Sequence, residues 1–212
     1  MTLDNILEEI KKANTIVIVV HENPDGDAIG SALAMKLALE QLNKEADVII
    51  PEYPSAFSFL PGVEKIKKES DVQEYDLAIA LDCASIKLLN GFAKYFDNAK
   101  VKVAIDHHSS NTMYADYNYI NQDSPACAQL LLVAFSYFGI EVTKEIGTCI
   151  LAGIITDTGG FRYSTVTAET FRFVAELCEK GVKVSQITED TTTPEKMVYD
   201  PSHPDADENG YV

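Results

Sequence analysis

The sequence predicts an α/β fold, a mostly parallel sheet covered by helices on both faces. Short apolar runs alternate with segments of helical periodicity along most of the chain. Parallel strands need crossover helices, and strands buried on both faces are continuous apolar runs. With 212 residues, 46% of them apolar, the chain can form one domain around a sizeable core.

Four strands and five helical segments make up this prediction. Residues 3–13 have helical spacing and precede the strand "TIVIVV", after which the helix "AIGSALAMKLALEQL" leads into the strand "ADVIIP". The segments "YDLAIALDCAS" and "AKVKVAIDHHSS" each rise through an apolar run and stop at polar residues, which predicts two more strands. The remaining segments are the helix "PACAQLLLVAFSYFG", the helical or mixed "KEIGTCILAGIITD", and the helix "TAETFRFVAELCEKG", with Gly181 as its C-cap.

Composition excludes several classes of partner. A formal charge of −16 argues against long duplex nucleic acid, whose binding needs clustered Lys and Arg. A small phosphorylated ligand remains compatible with this negative charge, because bound divalent cations reverse the local charge of a cleft. No apolar stretch is long enough for a bilayer and no secretory signal is present, so we expect a cytoplasmic protein without a membrane partner. The four cysteines form no C-x-x-C pair and are predicted to be reduced core thiols: Cys83, Cys127, Cys149 and Cys178.

Acidic and imidazole side chains follow the predicted strands. The candidates are His21, Asp25, Asp27, Asp82, Asp106, His107, His108 and Asp157. One such aspartate alone is usually a turn or helix-cap residue, but the carboxyl ends of parallel strands meet at one edge of a sheet. Carboxylates and imidazoles without thiolates favour Mn²⁺, with Mg²⁺ or Co²⁺ as substitutes. Two ions about 3.5–4 Å apart hydrolyse phosphoesters in many enzymes, which is the chemistry this set predicts.

The motifs that carry these residues resemble a known family. "HENPDGDAIGS", "LDCAS", "DHHSS" and "GIITDTGGFRYS" are similar, in order, to the four motifs of the DHH phosphoesterase superfamily, and the resemblance covers residues 1–185. "FLPGVEKI", "YNYINQDSPACAQLLL" and "TDTGGFRYSTVTAETFR" are most similar to its branch of bacterial oligoribonucleases (nanoRNases) and pAp phosphatases. The resemblance implies a DHH catalytic domain that hydrolyses short oligonucleotides and 3'-phosphoadenosine 5'-phosphate (pAp) with two Mn²⁺ ions. It leaves a homodimer open.

The resemblance also implies two groups of metal ligands that share one aspartate. The first ion would be held by His21, Asp25 and Asp82. The second ion would be held by Asp27, Asp82, His107 and Asp157. Asp82 would then be the bridging ligand at the end of a central strand.

Four further residues have expected roles around these ligands. The resemblance implies that His108 faces the phosphate as general acid or transition-state donor, and that Asp106 orients an imidazole. Ser31 is interpreted as a helix cap or a support for a ligand rather than a ligand. For Arg162, contact with a substrate phosphate and a plain surface role remain equally open.

The last part of the sequence departs from the family. Members of the branch continue into a smaller DHH-associated domain that binds substrate, and we expect this second domain to be absent here. Residues 186–212 are predicted to be an irregular tail, and "VYDPSHPDADENGYV" resembles part of a flagellar basal-body rod protein. Loss of substrate positioning would reduce turnover. The alternatives are a manganese inorganic pyrophosphatase-like hydrolase, a non-catalytic truncated fragment, and a fusion to a flagellar rod segment.

Overall fold

The computed structural model describes residues 2–184, which fold around one parallel sheet. The strands are β1 (Ile16–Val19), β2 (Ala46–Ile49), β3 (Ile66–Lys67), β4 (Leu77–Leu81), β5 (Val101–Asp106) and β6 (Tyr117–Ile120). The helices are α1 (Thr2–Lys12), α2 (Gly26–Gln41), α3 (Ala93–Asp97), α4 (Cys127–Phe138), α5 (Lys144–Asp157) and α6 (Ala168–Glu179). The spatial order of the strands is β3-β2-β1-β4-β5-β6, and all neighbours pair in parallel. The predicted α/β fold is confirmed.

The long elements coincide with the predicted segments, and the short ones do not. The predicted strands correspond to β1, β2, β4 and β5, and the segment "KEIGTCILAGIITD", predicted to be helical or mixed, is the helix α5. Three short elements are not predicted by the sequence: β3, which has two residues, α3, which has five, and β6, a half-buried edge strand. The C-cap of α6 is Lys180 rather than Gly181, and Gly181 follows it with a φ of +86°, a left-handed conformation that commonly ends a helix one residue after the cap.

Side chains of the sheet alternate between two cores. In β1, Ile16 and Ile18 face the larger core, which α1, α2, α4 and α5 cover, whereas Val17 and Val19 face a smaller core with α3. Both faces are therefore buried, as the continuous apolar runs require. None of the helices in the described part of the chain has the length and apolarity needed to cross a membrane.

The cysteines follow the prediction with one exception. Cys83, Cys127 and Cys149 are buried and unpaired with one another, whereas Cys178 is exposed. The prediction of a core thiol is wrong for Cys178, because α6 buries only two of its residues and Cys178 lies on its outer side.

The order of the strands explains where a site can form. From β1 the chain moves toward β2 on one side, whereas from β4 it moves toward β5 on the other. A crevice opens at such a switch point, beyond the carboxyl ends of β1 and β4. The expected irregular tail at 186–212, with its flagellar resemblance, lies outside the described residues.

Candidate metal centre

The turn from β1 into α2 holds the first acidic pair. The helix α2 begins at Gly26, two residues earlier than predicted, because Asp25 is its N-cap. Asp25 Oδ1 accepts hydrogen bonds from the backbone N–H groups of Asp27 and Ala28, both at 3.0 Å. An oxygen of Asp25 also lies within 4.8 Å of ligand atoms of His21 and Asp82. The capping and metal-binding interpretations of Asp25 are therefore compatible.

Asp27 is fully buried and joins α2 to α4. Its Oδ2 accepts a hydrogen bond from Cys127 N at 2.6 Å, and its Oδ1 accepts one from Ala128 N at 2.9 Å. The residue at the N-cap of α4 is Ala126, which has no capping side chain, so Asp27 satisfies the first turn of that helix from a distance of 100 residues. Ser31 Oγ donates to Asp27 Oδ1 at 3.3 Å. Of the two roles expected for Ser31, the helix cap is wrong, because Ser31 lies inside α2, whereas its hydrogen bond to the Asp27 carboxylate agrees with the expected support for a ligand.

Asp82 follows β4 and lies between two histidines. Its backbone has a φ of +52°, a conformation that Asp tolerates better than most residues. Asp82 Oδ2 is 3.8 Å from His21 Nε2, and Asp82 Oδ1 is 3.4 Å from His107 Nε2. This position allows the two oxygens of one carboxylate to face two different ligand groups.

His107 connects the remaining ligands and has a defined tautomer. Its Nδ1 is 3.2 Å from the Ser124 carbonyl oxygen, which can only accept, so Nδ1–H donates there. In the neutral ring Nε2 then carries the lone pair. His107 Nε2 lies 3.2 Å from Asp157 Oδ2 and 3.9 Å from Asp27 Oδ2. Such a carbonyl contact on the far nitrogen is typical of metal-binding histidines.

Unsatisfied polar atoms in the cluster fit a cation. In residues 2–184, three buried side-chain atoms lack a hydrogen-bond partner, and two of them are Asp82 Oδ1 and His107 Nε2. Buried polar atoms are nearly always paired. A carboxylate oxygen and an imidazole nitrogen that face each other would both coordinate a divalent cation. The residues present therefore fit a metal.

The charges of the cluster support the same conclusion. Burial raises the pKa of Asp27 well above its usual range, and the charges of Asp82 and Asp157 add to this. Burial likewise raises the pKa of Asp157 to about 6. Burial opposes ionisation of Asp82, but His107 and His21 outweigh it and lower the pKa of Asp82 to about 2. Several carboxylates share one buried space, and a cation would remove their repulsion.

Asp106 is a fully occupied acceptor beside this cluster. Its Oδ1 accepts hydrogen bonds from His107 N at 2.8 Å and from His108 Nδ1 at 2.7 Å, and its Oδ2 accepts one from Asn111 Nδ2 at 2.7 Å. An oxygen of Asp106 groups with Asp82 and the two histidines. These donors nevertheless leave Asp106 better suited to hold His108 than to bind metal. The hydrogen bond to Asp106 raises the pKa of His108, whose side chain is 44% exposed.

Asn111 is a further residue of the site, beyond those that the motifs predict. Its amide nitrogen donates to Asp106 Oδ2 and to the Cys83 carbonyl oxygen, at 2.7 and 3.3 Å. These two bonds connect the loop after β5 to the residue that follows Asp82. Its place three residues after His108, within the same polar loop, was the available signal.

Close helix packing brings Asp157 to the cluster. A Cβ on Gly30 would lie 2.4 Å from the Cys149 carbonyl oxygen, and one on Gly153 would lie 2.6 Å from Asp27 Oδ1. Glycine at these positions lets α5 approach α2, so the last residue of α5 reaches His107. Arg162 lies in the exposed turn after α5, where its Nε donates to the Gly159 carbonyl oxygen at 2.6 Å.

The fold and the site together define a parallel α/β domain with a carboxylate–imidazole centre at the switch point of its sheet. The profile of the DHH family, N-terminal domain, matches residues 15–154. The chain belongs to the DHH family, as its motifs predicted.

Several relatives support this assignment. The bifunctional oligoribonuclease and PAP phosphatase NrnA of Thermus thermophilus is 34% identical over 187 residues, covering 87% of this chain and 56% of the relative. A probable manganese-dependent inorganic pyrophosphatase of Exiguobacterium is 27% identical over 173 residues, covering 78% of this chain and 55% of the relative. The crystal structure of an exopolyphosphatase-related protein from Bacteroides fragilis has a TM-score of 0.82 and 28% identity, covering 88% of this chain and 58% of that one. The chain thus spans a little over half the length of these relatives.

Proposed function

We propose that the chain is the catalytic domain of a manganese-dependent phosphoesterase that hydrolyses short oligonucleotides and pAp. The observation that carries this proposal is the facing pair of unsatisfied atoms, Asp82 Oδ1 and His107 Nε2, inside a cluster of carboxylates. The 34% identical relative, named as an oligoribonuclease and PAP phosphatase, supports the substrate class.

Two ligand groups would hold two Mn²⁺ ions. One group is His21, Asp25 and Asp82, whose ligand atoms lie within 4.8 Å of one another. The other is Asp27, His107 and Asp157, within the same limit, joined by Asp82 through its 3.4 Å approach to His107. When bound, such ions stabilise charge on phosphoryl oxygens and lower the pKa of water.

The histidines of the third motif have separate tasks in this proposal. His107 is locked by the Ser124 carbonyl oxygen so that Nε2 faces the carboxylates. His108 uses Nδ1 to donate to Asp106, which leaves Nε2 to hold the transferable proton. In the hydrolysis a water oxygen would form a new bond to phosphorus and lose a proton to solvent, while the P–O ester bond breaks and His108 Nε2–H protonates the leaving oxygen. Asp106 keeps the ring of His108 in place during this transfer.

An activity assay with a matched pair of variants tests the proposal. The full 212-residue chain would be incubated with Mn²⁺ and pAp, a labelled diribonucleotide or pyrophosphate. Asp82→Asn removes the proposed bridging ligand, whereas Asp71→Asn removes an exposed carboxylate outside the centre. We expect AMP from pAp and mononucleotides from the dinucleotide, with a loss of more than about 100-fold in Asp82→Asn and none in Asp71→Asn.

Two results would contradict this function. Faster hydrolysis of pyrophosphate than of either nucleotide would favour the pyrophosphatase alternative. No hydrolysis by the wild-type chain, or hydrolysis that Asp82→Asn leaves intact, would favour a non-catalytic fragment.

A further inference from the structure

A cleft of about 810 Å³ lies beside the candidate metal centre, and none of the proposed metal ligands lines it. One wall is formed by residues 22–24, which stand between His21 and Asp25 in the turn after β1. The rest of the lining comes from two other segments. These are residues 51–54, which follow β2, and Phe92, which lies in the segment after β4. The cleft therefore opens at the same edge of the sheet as the metal centre.

The residues that line this cleft are held in place by packing and by a backbone hydrogen bond. Tyr53 packs against the larger core and Phe92 against the smaller one, and Pro24 is buried. Glu22 N donates to the Leu88 carbonyl oxygen at 2.9 Å, which ties the turn after β1 to the segment that carries Phe92. A preformed cleft of this kind binds a rigid ligand without a large ordering cost.

The chemistry of the lining selects a class of ligand. Two aromatic rings and three prolines give it apolar surfaces, and Glu22 and Glu52 add carboxylate acceptors. Among the described residues that line it there is no Lys, Arg or His. A phosphate would be repelled there, whereas a neutral planar group with N–H donors would find both stacking surfaces and acceptors. Nucleobases have this combination, since every base has a π-face and carboxylates accept hydrogen bonds from exocyclic amino groups.

We propose that this cleft binds the base of the nucleotide whose phosphate is hydrolysed at the metal centre. Tyr53 and Phe92 would provide the stacking surfaces, and Glu22 and Glu52 would accept hydrogen bonds from the amino group of the base. The inference rests on the proposed function, because it assumes a nucleotide substrate. It assigns substrate specificity to side chains that are not proposed ligands: Tyr53, Phe92 and Glu52 lie outside the four motifs, and Glu22 stands between the proposed ligands His21 and Asp25.

A comparison of normal and abasic substrates tests the role of the cleft. The substrates are the diribonucleotide ApA and an analogue that lacks its bases, each with Mn²⁺ and the full chain. We expect Tyr53→Ala and Phe92→Ala each to raise KM for ApA about ten-fold, since stacking supplies much of the affinity for a base. The same variants should leave hydrolysis of the abasic analogue nearly unchanged.

Two controls separate loss of stacking from loss of folding. Tyr53→Phe keeps the ring and should retain the wild-type KM for ApA. Tyr137→Ala removes a 44% exposed aromatic side chain near the end of α4 and should leave both substrates unaffected. Equal losses on ApA and the abasic analogue, or no loss on ApA, would overturn the inference.

Binding without turnover gives a second, independent readout. Equilibrium dialysis of adenosine and uridine against the chain in EDTA measures base binding in the absence of hydrolysis. Adenosine should bind about ten-fold more weakly to Tyr53→Ala than to wild type, and uridine, which lacks an exocyclic amino group, more weakly than adenosine. Suppose that adenosine binding depends on Tyr53 but the chain hydrolyses no nucleotide in the separate assay with Mn²⁺. That result would support the base site and contradict the proposed function. Hydrolysis of ApA and of the abasic analogue with the same KM would support the proposed function and contradict the base site.

Discussion

Asp82 Oδ1 lies 3.4 Å from His107 Nε2, and both atoms are buried without a hydrogen-bond partner in the described part of the chain. Leaving a buried polar atom unsatisfied costs about 1–3 kcal/mol. The left-handed backbone of Asp82, with a φ of +52°, adds strain at the same place. A divalent cation between these ligands would satisfy both atoms, so we interpret the local cost as the consequence of a site built for metal.

Removing Asn111 should slow catalysis more than it weakens metal binding. Asn111 donates to Asp106, which holds His108, and neither acceptor of its amide nitrogen, Asp106 Oδ2 or the Cys83 carbonyl oxygen, belongs to a proposed ligand. We expect Asn111→Ala to lower kcat about 10- to 100-fold, with a smaller change in Mn²⁺ affinity. Steady-state kinetics and a Mn²⁺ titration check this, with Asn118→Ala as control because the Asn118 amide hydrogen-bonds to the backbone of nearby Ala115. An unchanged kcat in Asn111→Ala would show that the Asp106 bond does not position His108.

Adding a methyl group at Gly30 should destabilise the helix pair that carries the site. The new Cβ would lie 2.4 Å from the Cys149 backbone oxygen, so α5 would have to move away from α2. We expect Gly30→Ala to lower the free energy of unfolding by about 2 kcal/mol or more, measured by urea denaturation. Gly91→Ala is the matched control, since nothing lies within 4 Å of a Cβ there, and it should change stability by about 0.5 kcal/mol at most. Equal effects of the two substitutions would contradict the close packing of α2 and α5.

Asp76 should contribute a pH-dependent part of the stability. Its carboxylate accepts hydrogen bonds from Lys100 Nζ at 2.8 Å and from the backbone N–H groups of Asn14 and Thr15 at 2.9 and 3.2 Å. These bonds, with that of Lys100 foremost, lower the pKa of Asp76 from 3.8 to about 2. Because the folded-state pKa is the lower one, the stabilisation is complete above about pH 4 and is lost as pH falls toward 2.

Urea denaturation of Asp76→Ala and wild type measures this contribution. At pH 7 we expect the variant to be less stable by about 1–2 kcal/mol, and at pH 3 the gap should be narrower. Asp71→Asn should differ from wild type by the same small amount at both pH values. If the difference in unfolding free energy between Asp76→Ala and wild type is as large at pH 3 as at pH 7, stabilisation by the hydrogen-bonded carboxylate of Asp76 would be contradicted.

The sequence could predict the elements that bury long apolar runs. "TIVIVV" and "LAIAL" correspond to β1 and β4, which are covered on both faces. In contrast, β3 has only two residues and β6 is half-buried at the sheet edge, so neither produces a clear apolar pattern. Short elements of this kind form because the rest of the sheet is already in place.

The candidate site likewise has features that the sequence could predict and features that it could not. The ends of β1, β4 and β5 lie at one edge of the parallel sheet and bring most of the acidic and imidazole residues together there, but Asp157 is the last residue of the helix α5, so the expectation that it follows a strand is wrong. The hydrogen bonds from the first turn of α4 to Asp27 depend on tertiary packing across 100 residues, and no local pattern indicates them. Asp is a common N-cap residue, so the sequence contains a signal for the N-cap role of Asp25, but the apolar periodicity predicts that α2 begins at Ala28, whereas it begins at Gly26.

A Mn²⁺ titration of the 212-residue chain, followed by electron paramagnetic resonance, tests the central claim most directly. We predict two bound ions per wild-type chain with magnetic coupling between them, because Asp82 faces both ligand groups. Asp82→Asn should stay folded, since Asn also tolerates the left-handed backbone, yet lose the coupled pair. A wild-type chain that binds no Mn²⁺, or an Asp82→Asn variant that binds two coupled ions as tightly as wild type, would contradict the account.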